Sequence, residues 1–242
     1  MINNQLKINE AADYLRVSIN TLRRWDNKGK LKSLREKQGD HRYYSLAQLE
    51  EFLTSSCTSL AIKWARDNIG EKPSDIFYCS DSSIFQGRLY KLRTALSKNK
   101  EIESIFSLLI SIVGEIGDNS FGHNLGNWPD ITGIFFAYDT QNKVIVLADR
   151  GQGVFKTLKR VKPELQDDLE ALKVAFTEIL SGRAPESRGN GLKYVRAVIE
   201  KNPISLFFQS GGAELNLNKN SSELKIKKAK NSFRGCLAII KF

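Results

Sequence analysis

The sequence is poor in the residues that mark secreted, zinc-binding and membrane-spanning proteins. Its 242 residues include two histidines and three cysteines, and Cys57, Cys79 and Cys236 form no CxxC pair. This pattern excludes a disulfide framework and a cysteine-rich zinc site, and it indicates a reducing compartment. The longest apolar stretch, Ile105 to Val113, is interrupted by serines and is far shorter than the ~20 residues that cross a bilayer. Because no apolar leader follows Met1, we expect a cytoplasmic chain without a membrane partner.

Charge, by contrast, is plentiful and mostly positive. The chain has 37 Lys and Arg against 27 Asp and Glu, which gives a formal net charge of +10. The surplus is spread along the chain, since residues 1–56 hold 10 Lys and Arg against 7 Asp and Glu. A basic chain is compatible with nucleic acid, anionic nucleotides or acidic partners. The charge alone does not distinguish among these three classes.

Two stretches of small or turn-forming residues divide the chain. Thr54 to Ser59 follows a helical pattern and predicts a linker, and Gly70 to Asp75 predicts a turn before an apolar segment. We therefore predict a first domain over residues 1–56, a linker and connecting segment over residues 57–85, and a second domain over residues 86–242. The hydrophobic content of 41% is ordinary for globular domains.

Helical and strand patterns alternate in the second domain. Apolar residues recur at helical spacing from Ile102 to Asn119, after a shorter helical stretch from Arg88 to Ser97. Apolar runs on both sides of the turn Asp139 to Asn142 indicate a β-hairpin. Another helix is predicted from Gly191 to Lys201, and strand-like segments follow at residues 204–208, 224–230 and 236–242. This order predicts an α+β sandwich rather than a Rossmann sheet.

The start of the chain contains two short helices separated by a tight break. The first spans Asn9 to Leu15, and Ser18 suits the N-cap of the second, Ile19 to Asn27, because its hydroxyl can accept an unpaired amide of the first turn. Such a pair forms a helix-turn-helix, whose second helix can enter the major groove of DNA. Side chains suited to base edges and phosphates lie on this helix: Asn20, Thr21, Arg23, Arg24 and Lys28.

The first domain resembles the winged helix-turn-helix of the MerR and excisionase families. Leu31 to Arg35 and Asp40 to Tyr44 would form the hairpin wing, and Leu46 to Leu53 a third helix. The resemblance implies a double-stranded DNA partner contacted by the recognition helix and by Arg42 of the wing. A protein-interaction module with a solvated basic face is the alternative. The predicted DNA-binding residues are Asn20, Thr21, Arg23, Arg24, Arg42 and Tyr43. The matching segments are Glu10-Ala11-Ala12, Val17-Ser18, Thr21 to Trp25, Gly29-Lys30-Leu31 and His41 to Tyr44.

Three motifs follow one another in the second domain. Glu115 and Asn119 are four residues apart, so they share one face of a helix, where a carboxylate can deprotonate water and an amide oxygen can bind Mg²⁺. The segment Asp149-Arg150-Gly151-Gln152-Gly153 follows an apolar strand, and its glycines let a ligand approach the backbone. The segment Arg188 to Leu192 opens a helix, where free amides favour phosphate. Each motif is weak by itself; a Glu/Asn pair at this spacing is usually a polar helix surface.

Together the three motifs resemble the GHKL superfamily of ATP-binding domains, which includes gyrase, the ninety-kilodalton heat-shock chaperones, histidine kinases and MutL. The closing strand from Phe233 to Ile240 is similar too, although Cys236 stands where threonine is usual. The resemblance covers roughly residues 86–242 and implies a GHKL α/β sandwich with a mixed sheet, with ATP and Mg²⁺ as cofactors. It also implies that Val154 to Ser187 forms an ATP lid, with a hinge at Gly182 to Pro185.

The same resemblance assigns roles to individual residues. Glu115 would be the general base, Asn119 would bind magnesium, and Asp149 would bind the adenine amine. Gly151 and Gly153 would lie beside the base, and Gly189 and Gly191 beneath the phosphates. His123, four residues after Asn119, is predicted to face the phosphates, and a capping or surface role is equally compatible with its position. Candidates for a phosphate-sensing lysine are Lys156, Lys159 and Lys193.

The two resemblances predict a DNA-binding regulator in which ATP binding and hydrolysis alter the engagement of DNA. Both families commonly work as dimers, so we expect a homodimer, and a protein partner is compatible with the sequence. One alternative is a serine/threonine protein kinase of the anti-sigma type, because the same pocket positions either water or a hydroxyl nucleophile. A second alternative is a non-hydrolysing nucleotide sensor. The absence of a helical phosphoacceptor histidine argues against a sensor histidine kinase.

Overall fold

The computed structural model describes residues 5–15, 17–29, 31–35, 41–180 and 190–242, with only the backbone at residues 50, 51 and 53–56. The fold is α+β, as expected. The first part contains β1 (Gln5–Lys7), α1 (Ile8–Tyr14), α2 (Ile19–Asn27), β2 (Tyr43–Ser45) and α3 (Leu46–Arg66). The second part contains β3 (Tyr78–Cys79), α4 (Ser82–Leu96), α5 (Phe106–Asn124), β4 (Ile134–Asp139), β5 (Val144–Asp149), α6 (Gly153–Leu158), α7 (Asp168–Thr177), α8 (Gly191–Glu200), β6 (Ser205–Leu217) and β7 (Lys225–Lys241).

The first part has the helix pair that the sequence predicts. The Ser18 hydroxyl accepts the amide of Thr21 at 3.1 Å, so Ser18 is the N-cap of α2. The two segments of the expected wing are joined by an antiparallel bridge between Leu34 and Tyr43, and residues 36–40 between them lie outside the described residues. Strand β2 also pairs antiparallel with β1. The core of this part is formed by Ala11, Ala12, Leu15, Leu22, Leu31, Tyr44, Leu49 and Phe52, and Trp25 packs on Phe52.

Helix α3 belongs to both parts of the fold. It begins at the Ser45 cap, whose hydroxyl accepts the Gln48 amide at 3.1 Å, and it continues without a break to Arg66. The break expected at Thr54 to Ser59 is therefore wrong. Tertiary packing at both ends outweighs the modest helix propensity of serine and threonine. Leu49 and Phe52 enter the first core, whereas Cys57, Ala61, Trp64 and Ala65 pack on the sheet.

The sheet of the second part has the strand order β3-β4-β5-β7-β6. Each pairing between its described strands is antiparallel, so the expected mixed sheet is wrong. Two hairpins, β4–β5 and β6–β7, are joined side by side through β5 and β7, and this arrangement creates no parallel neighbours. The two last strand-like segments of the sequence form one long strand, because β7 continues through Asn231 to Gly235.

Helices cover both faces of this sheet. On one face, α4, α5, α7 and α8 bury residues such as Leu92, Ile112 and Phe176 against the strands. On the other face lies the second half of α3, with Trp64 and Phe77 packed near Phe135. Trp128 follows α5 and packs on Phe121 with ring centroids 6.3 Å apart. Among the described residues, no helix has the length and apolar character needed to span a membrane.

The region expected to form a lid is largely helical where it is described. Helix α7 packs on β6 through Phe176 and Phe208, whose ring centroids are 5.5 Å apart, and the Gly212 amide donates to Asp168 Oδ2 at 2.8 Å. Leu158 of α6 and Leu165 form a smaller cluster with α7. The expected hinge, Gly182 to Pro185, lies outside the described residues.

Candidate functional site

Helix α2 presents most of the predicted DNA-binding residues at the surface. Asn20, Arg23 and Arg24 are exposed, whereas Leu22 on the opposite side is fully buried. Asn20 Oδ1 accepts Arg23 Nη1 at 3.4 Å, so these two side chains support one another. The Thr21 hydroxyl lies 2.9 Å from the Ser18 hydroxyl, as part of the cap. The helix can therefore approach a polyanion with two adjacent guanidinium groups.

Arg42, the predicted wing contact, is held by a carboxylate that the sequence reasoning missed. Asp26 of α2 accepts Arg42 Nε at 2.7 Å, the Ser33 amide at 2.9 Å, and a further bond from Arg35. Burial alone would raise the pKa of Asp26, but the Ser33 amide and Arg42 lower it to about 2, with help from the charge of Arg35. The available signal in the sequence was that Asp26 is the one acidic residue of α2, beside Arg23 and Arg24.

Tyr43 acts through its backbone in the described structure. Its amide donates to the Leu34 carbonyl at 3.1 Å, and its carbonyl accepts the Leu34 amide at 2.8 Å. It also pairs with Lys7 in the small sheet, and its side chain is half-buried. Tyr43 thereby joins the wing segment to β1 and places Arg42 beside α2.

A cleft lies between α5, the α6–α8 helices and the sheet, with about 830 Å³ of empty space including its open part. Most of the residues predicted to bind ATP line it, although they come from three separate motifs. Gly189 lies outside the described residues. The predicted residues on the cleft wall are Asn119, His123, Asp149, Gly153 and Gly191.

Asp149 ends β5 and is almost completely buried, with 1% of its surface exposed. Its Oδ2 accepts the Ser120 hydroxyl at 2.7 Å, and its Oδ1 accepts the amides of Gly151 at 2.9 Å and Cys236 at 3.3 Å. Burial raises the pKa of Asp149 to about 6, although these hydrogen bonds favour the charged form. A buried carboxylate in a cleft is suited to accept a hydrogen bond from a ligand's N–H group.

The glycines of the second motif allow the backbone to pack closely around Asp149. Gly153 has φ +76° and lines the cleft. Gly151 lies against the side chain of Asn124, which a Cβ at that position would meet at 2.0 Å. Gly235 of β7 has φ +81°, and a Cβ there would meet the Asp149 carbonyl oxygen at 2.1 Å. These positions require glycine for steric reasons.

Glu115 and Asn119 lie beside the start of α8. A Cβ built on Gly191 would meet Glu115 Oε2 at 2.6 Å and Asn119 Nδ2 at 3.1 Å. The first and third motifs are therefore in contact across the cleft edge. Glu115 is exposed and Asn119 half-buried, so water can reach both. A carboxylate, an amide and a helix N-terminus at one place can orient a water molecule beside an anion.

Lys193 is the one lysine among the described residues that lines the cleft. It lies in the first turn of α8, and its Nζ donates to the Glu178 carbonyl at the end of α7. Burial lowers the pKa of Lys193. Lys156 and Lys159 do not line the cleft, and Lys159 Nζ lies 4.9 Å from the centre of the Phe155 ring.

The sequence reasoning also missed two residues that support the cleft. Ser120 binds Asp149, and Asn124 Oδ1 accepts the Gln152 amide at 2.8 Å while its Nδ2 donates to the Ser120 carbonyl at 2.8 Å. Both lie on α5, at four and eight residues after Ile116, which also lines the cleft. Their spacing of four residues shows that they share a helix face with Ile116. The sequence does not show that this face lies against the end of β5, and so it could not identify their partners.

Comparison with known proteins identifies the first part of the chain. A family model for the helix-turn-helix domain matches residues 6–56. A type II methyltransferase of Escherichia coli, M.Eco47II, is 44% identical over 52 residues, which is 22% of this chain and 12% of that protein. The chain thus matches only a small part of that relative's length. Residues 6–56 carry a helix-turn-helix domain of the DNA-binding type.

Proposed function

We propose that the chain is a DNA-binding protein whose engagement of DNA is controlled by ATP bound in the cleft of a GHKL-type domain. The observation that carries the proposal is the meeting of three sequence motifs at one cleft: Asn119, Asp149, Gly153 and Gly191 all line it. The cleft has polar and apolar walls, as small-molecule sites commonly have, with Asn119 and Asp149 beside apolar residues such as Leu147 and Phe208. The helix-turn-helix domain supplies the second half of the proposal.

Asp149 is suited to select the base of the nucleotide. Its buried carboxylate can accept a hydrogen bond from an exocyclic amine, while the amides of Gly151 and Cys236 hold it in place. Burial makes a mismatched group costly, because a buried acceptor without its donor loses hydrogen-bonding energy. Adenine therefore fits this position, whereas a carbonyl at the same place would meet a carboxylate.

Glu115 is the residue suited to act as general base in hydrolysis. Its carboxylate lies beside Gly191, where a phosphate at the start of α8 would be adjacent to a water molecule held by Glu115. No group of three or more His, Cys, Asp or Glu side chains in the described part of the chain could hold a metal. Magnesium keeps most of its waters and binds substrate phosphates, so a single protein ligand is sufficient. The side-chain oxygen of Asn119 is suited to be that ligand.

The DNA contacts are proposed for α2 and the adjoining wing. Arg23 and Arg24 are exposed on α2, and Asp26 fixes Arg42 against the same helix. Arginine binds both phosphate oxygens and guanine edges, so this cluster can position the helix and contribute to sequence selection.

Two variants in the cleft test the nucleotide site. Glu115→Gln should retain ATP affinity and lower hydrolysis by about 10²–10⁴-fold, as expected for loss of a general base. Asp149→Asn should weaken ATP binding at least tenfold, since hydrogen bonds to charged groups contribute about 1.5–3 kcal/mol. Calorimetry with Mg²⁺ measures binding, and phosphate release measures hydrolysis. Asp118→Asn, on the same helix, is the matched control.

The outcomes separate the proposal from its alternatives. Unchanged hydrolysis in Glu115→Gln would show that the base is misassigned, and no ATP binding by the wild type would remove the nucleotide site altogether. The kinase alternative predicts that the γ-phosphate of labelled ATP is transferred to a protein in a cell lysate rather than released as phosphate. ATP binding without either reaction would favour the non-hydrolysing sensor.

A further inference from the structure

Arg150 lies between Asp149 and Gly151, yet its side chain binds the far end of α3. It is 2% exposed. Its Nη1 donates to the carbonyl of Trp64 at 2.6 Å and to that of Asp67 at 2.7 Å, which are carbonyls left unpaired at the end of the helix. Its Nε and Nη2 donate to Asp130 Oδ2 at 3.0 and 2.6 Å. The guanidinium group therefore joins the cleft motif to the C-terminus of α3.

The other end of α3 is part of the helix-turn-helix domain. Leu49 and Phe52 belong to its core, and Ser45, the N-cap of α3, ends β2. A second connection runs beside it, because the Ser74 hydroxyl donates to the Leu15 carbonyl at the end of α1 at 2.8 Å. A displacement of the α3 C-terminus would consequently act on the domain that carries Arg23 and Arg24.

We propose that Arg150 is a positioning residue that couples the occupancy of the cleft to DNA binding through helix α3. This inference rests on the proposed function, and it specifies how that site is regulated. A ligand held by Asp149 restricts the turn from Asp149 to Gly153, and Arg150 transmits that restriction to α3. Because coupling between two sites is reciprocal, DNA bound to α2 changes the affinity for ATP by the same factor.

Arginine is suited to this role because its planar group makes several hydrogen bonds in fixed directions. Lysine in the same place retains the charge but cannot bind two helix carbonyls and Asp130 with the same geometry. Arg234 offers a matched comparison. It also binds Asp130, with Nη1 at 3.3 Å from Oδ2, but it is half exposed, and this described bond joins it to Asp130 rather than to a carbonyl of α3.

The experiment measures the affinity of the full chain for a pool of random-sequence DNA duplexes, with and without a non-hydrolysable ATP analogue and Mg²⁺. In the wild type we expect the analogue to change the DNA dissociation constant at least ~5-fold, within the usual range for coupled sites. In Arg150→Lys, at a concentration of analogue that saturates the variant, this ratio should fall below ~2, while the affinity of the nucleotide-free chain for DNA is retained. Arg234→Lys should keep the wild-type ratio.

A second pair of variants tests α3 without altering Arg150. Ser55→Gly with Ser56→Gly, in the middle of α3, adds backbone freedom between its two ends, whereas the corresponding alanine pair keeps the helix. The glycine pair should reduce the ratio toward 1, and the alanine pair should leave it unchanged. This test still applies if Arg150→Lys does not fold.

The results distinguish this inference from the proposed function. If the wild type binds no analogue, or if the analogue does not change its DNA dissociation constant, both the proposed function and this inference are contradicted. A coupled wild type whose ratio persists in both Arg150→Lys and the glycine pair contradicts the inference alone. A ratio near 1 in these variants, with the wild-type ratio in Arg234→Lys and in the alanine pair, supports coupling through Arg150 and α3.

Discussion

Two carboxylates, one half-buried and one fully buried, show how opposite surroundings give opposite chemistry at the scale of one residue. Asp26 is surrounded by cationic and amide donors, which lower its pKa to about 2, whereas burial raises the pKa of Asp149 to about 6. The charge on Asp26 therefore stabilises the folded chain, whereas Asp149 lowers its stability as the pH rises from the ordinary pKa of 3.8 to about 6. Asp26 joins parts of the helix-turn-helix domain, whereas Asp149 lies on the wall of the cleft.

Asp26→Asn should destabilise the helix-turn-helix domain and weaken DNA binding. The stabilisation from Asp26 is present above its unfolded pKa near 3.8 and disappears as the pH falls toward 2. At pH 7 the variant should therefore lose about 2 kcal/mol of unfolding free energy, since one pKa unit corresponds to about 1.4 kcal/mol. Denaturant unfolding from pH 2 to 7 measures this, and the difference from the wild type should shrink at the acidic end.

Measuring the DNA affinity of Asp26→Asn shows whether Asp26 acts by positioning Arg42 or only through its negative charge. Asp13→Asn removes the same charge from an exposed position of α1, so it serves as the control. We expect a lower affinity for duplex DNA in Asp26→Asn, because Arg42 loses its anchor, and no loss in Asp13→Asn. Equal affinities for the two variants would show that Asp26 does not position Arg42 for binding.

Residues whose partners are close in sequence could be predicted, and those with distant partners could not. The Ser18 cap depends on Thr21, three positions away, and the pattern of α2 revealed both. Asp26 acquires its role from Arg42, 16 positions away, and Arg150 from Trp64, 86 positions away. Only the tertiary structure brings these partners together, so no local pattern could identify them.

At the scale of elements, the sequence predicts the type of an element better than its extent. The repeat of apolar residues from Ile102 predicts a helix, but α5 begins at Phe106 and continues to Asn124. Its C-terminal end is polar on the side that faces the cleft, where Ser120 binds Asp149 at the end of β5 and Asn124 binds Gln152 in the turn that follows. Periodicity misses this turn because its stabilising contacts come from another element. The same reason explains why α3 passes through the expected linker.

Helices α4 and α5 provide a matched pair of glycines. A Cβ at Gly87 of α4 would meet nothing within 4 Å, whereas a Cβ at Gly117 of α5 would meet Phe85 Cζ at 2.1 Å. Gly87→Ala should therefore raise the free energy of unfolding by about 0.5–1 kcal/mol, because alanine restricts the unfolded chain and favours the helix. Gly117→Ala should lower it, since the Phe85 ring must move in a packed core. Denaturant unfolding compares the two, and a loss of stability in Gly87→Ala would contradict the packing described for α4.

At the scale of the whole molecule, positive charge is distributed more widely than the residues proposed to bind DNA. The first 56 residues account for a minority of the net charge of +10. The proposed recognition therefore depends on where Arg23 and Arg24 lie rather than on the total charge. The general attraction between the chain and DNA should depend on salt in the manner of counterion release.

Arg23→Ala should weaken DNA binding and reduce the salt dependence of the dissociation constant. Loss of one phosphate contact lowers the slope of log affinity against log salt by about 1, and a lost base contact costs about 1–3 kcal/mol for one sequence class. Fluorescence anisotropy at several salt concentrations measures both. Lys98→Ala, at an exposed position after α4, removes the same charge and should change neither quantity appreciably. Equal effects of the two variants would indicate attraction by net charge alone.

The three tryptophans of the chain lie in three different environments. Trp25 packs on Phe52 in the first core, Trp64 lies 6.0 Å from the Arg150 guanidinium carbon, and Trp128 packs on Phe121 after α5. The chain therefore contains its own optical reporters for the recognition helix, for the α3 junction and for the helix beside the cleft. Variants that keep one tryptophan at a time would allow each region to be followed separately by fluorescence while ATP or DNA is added.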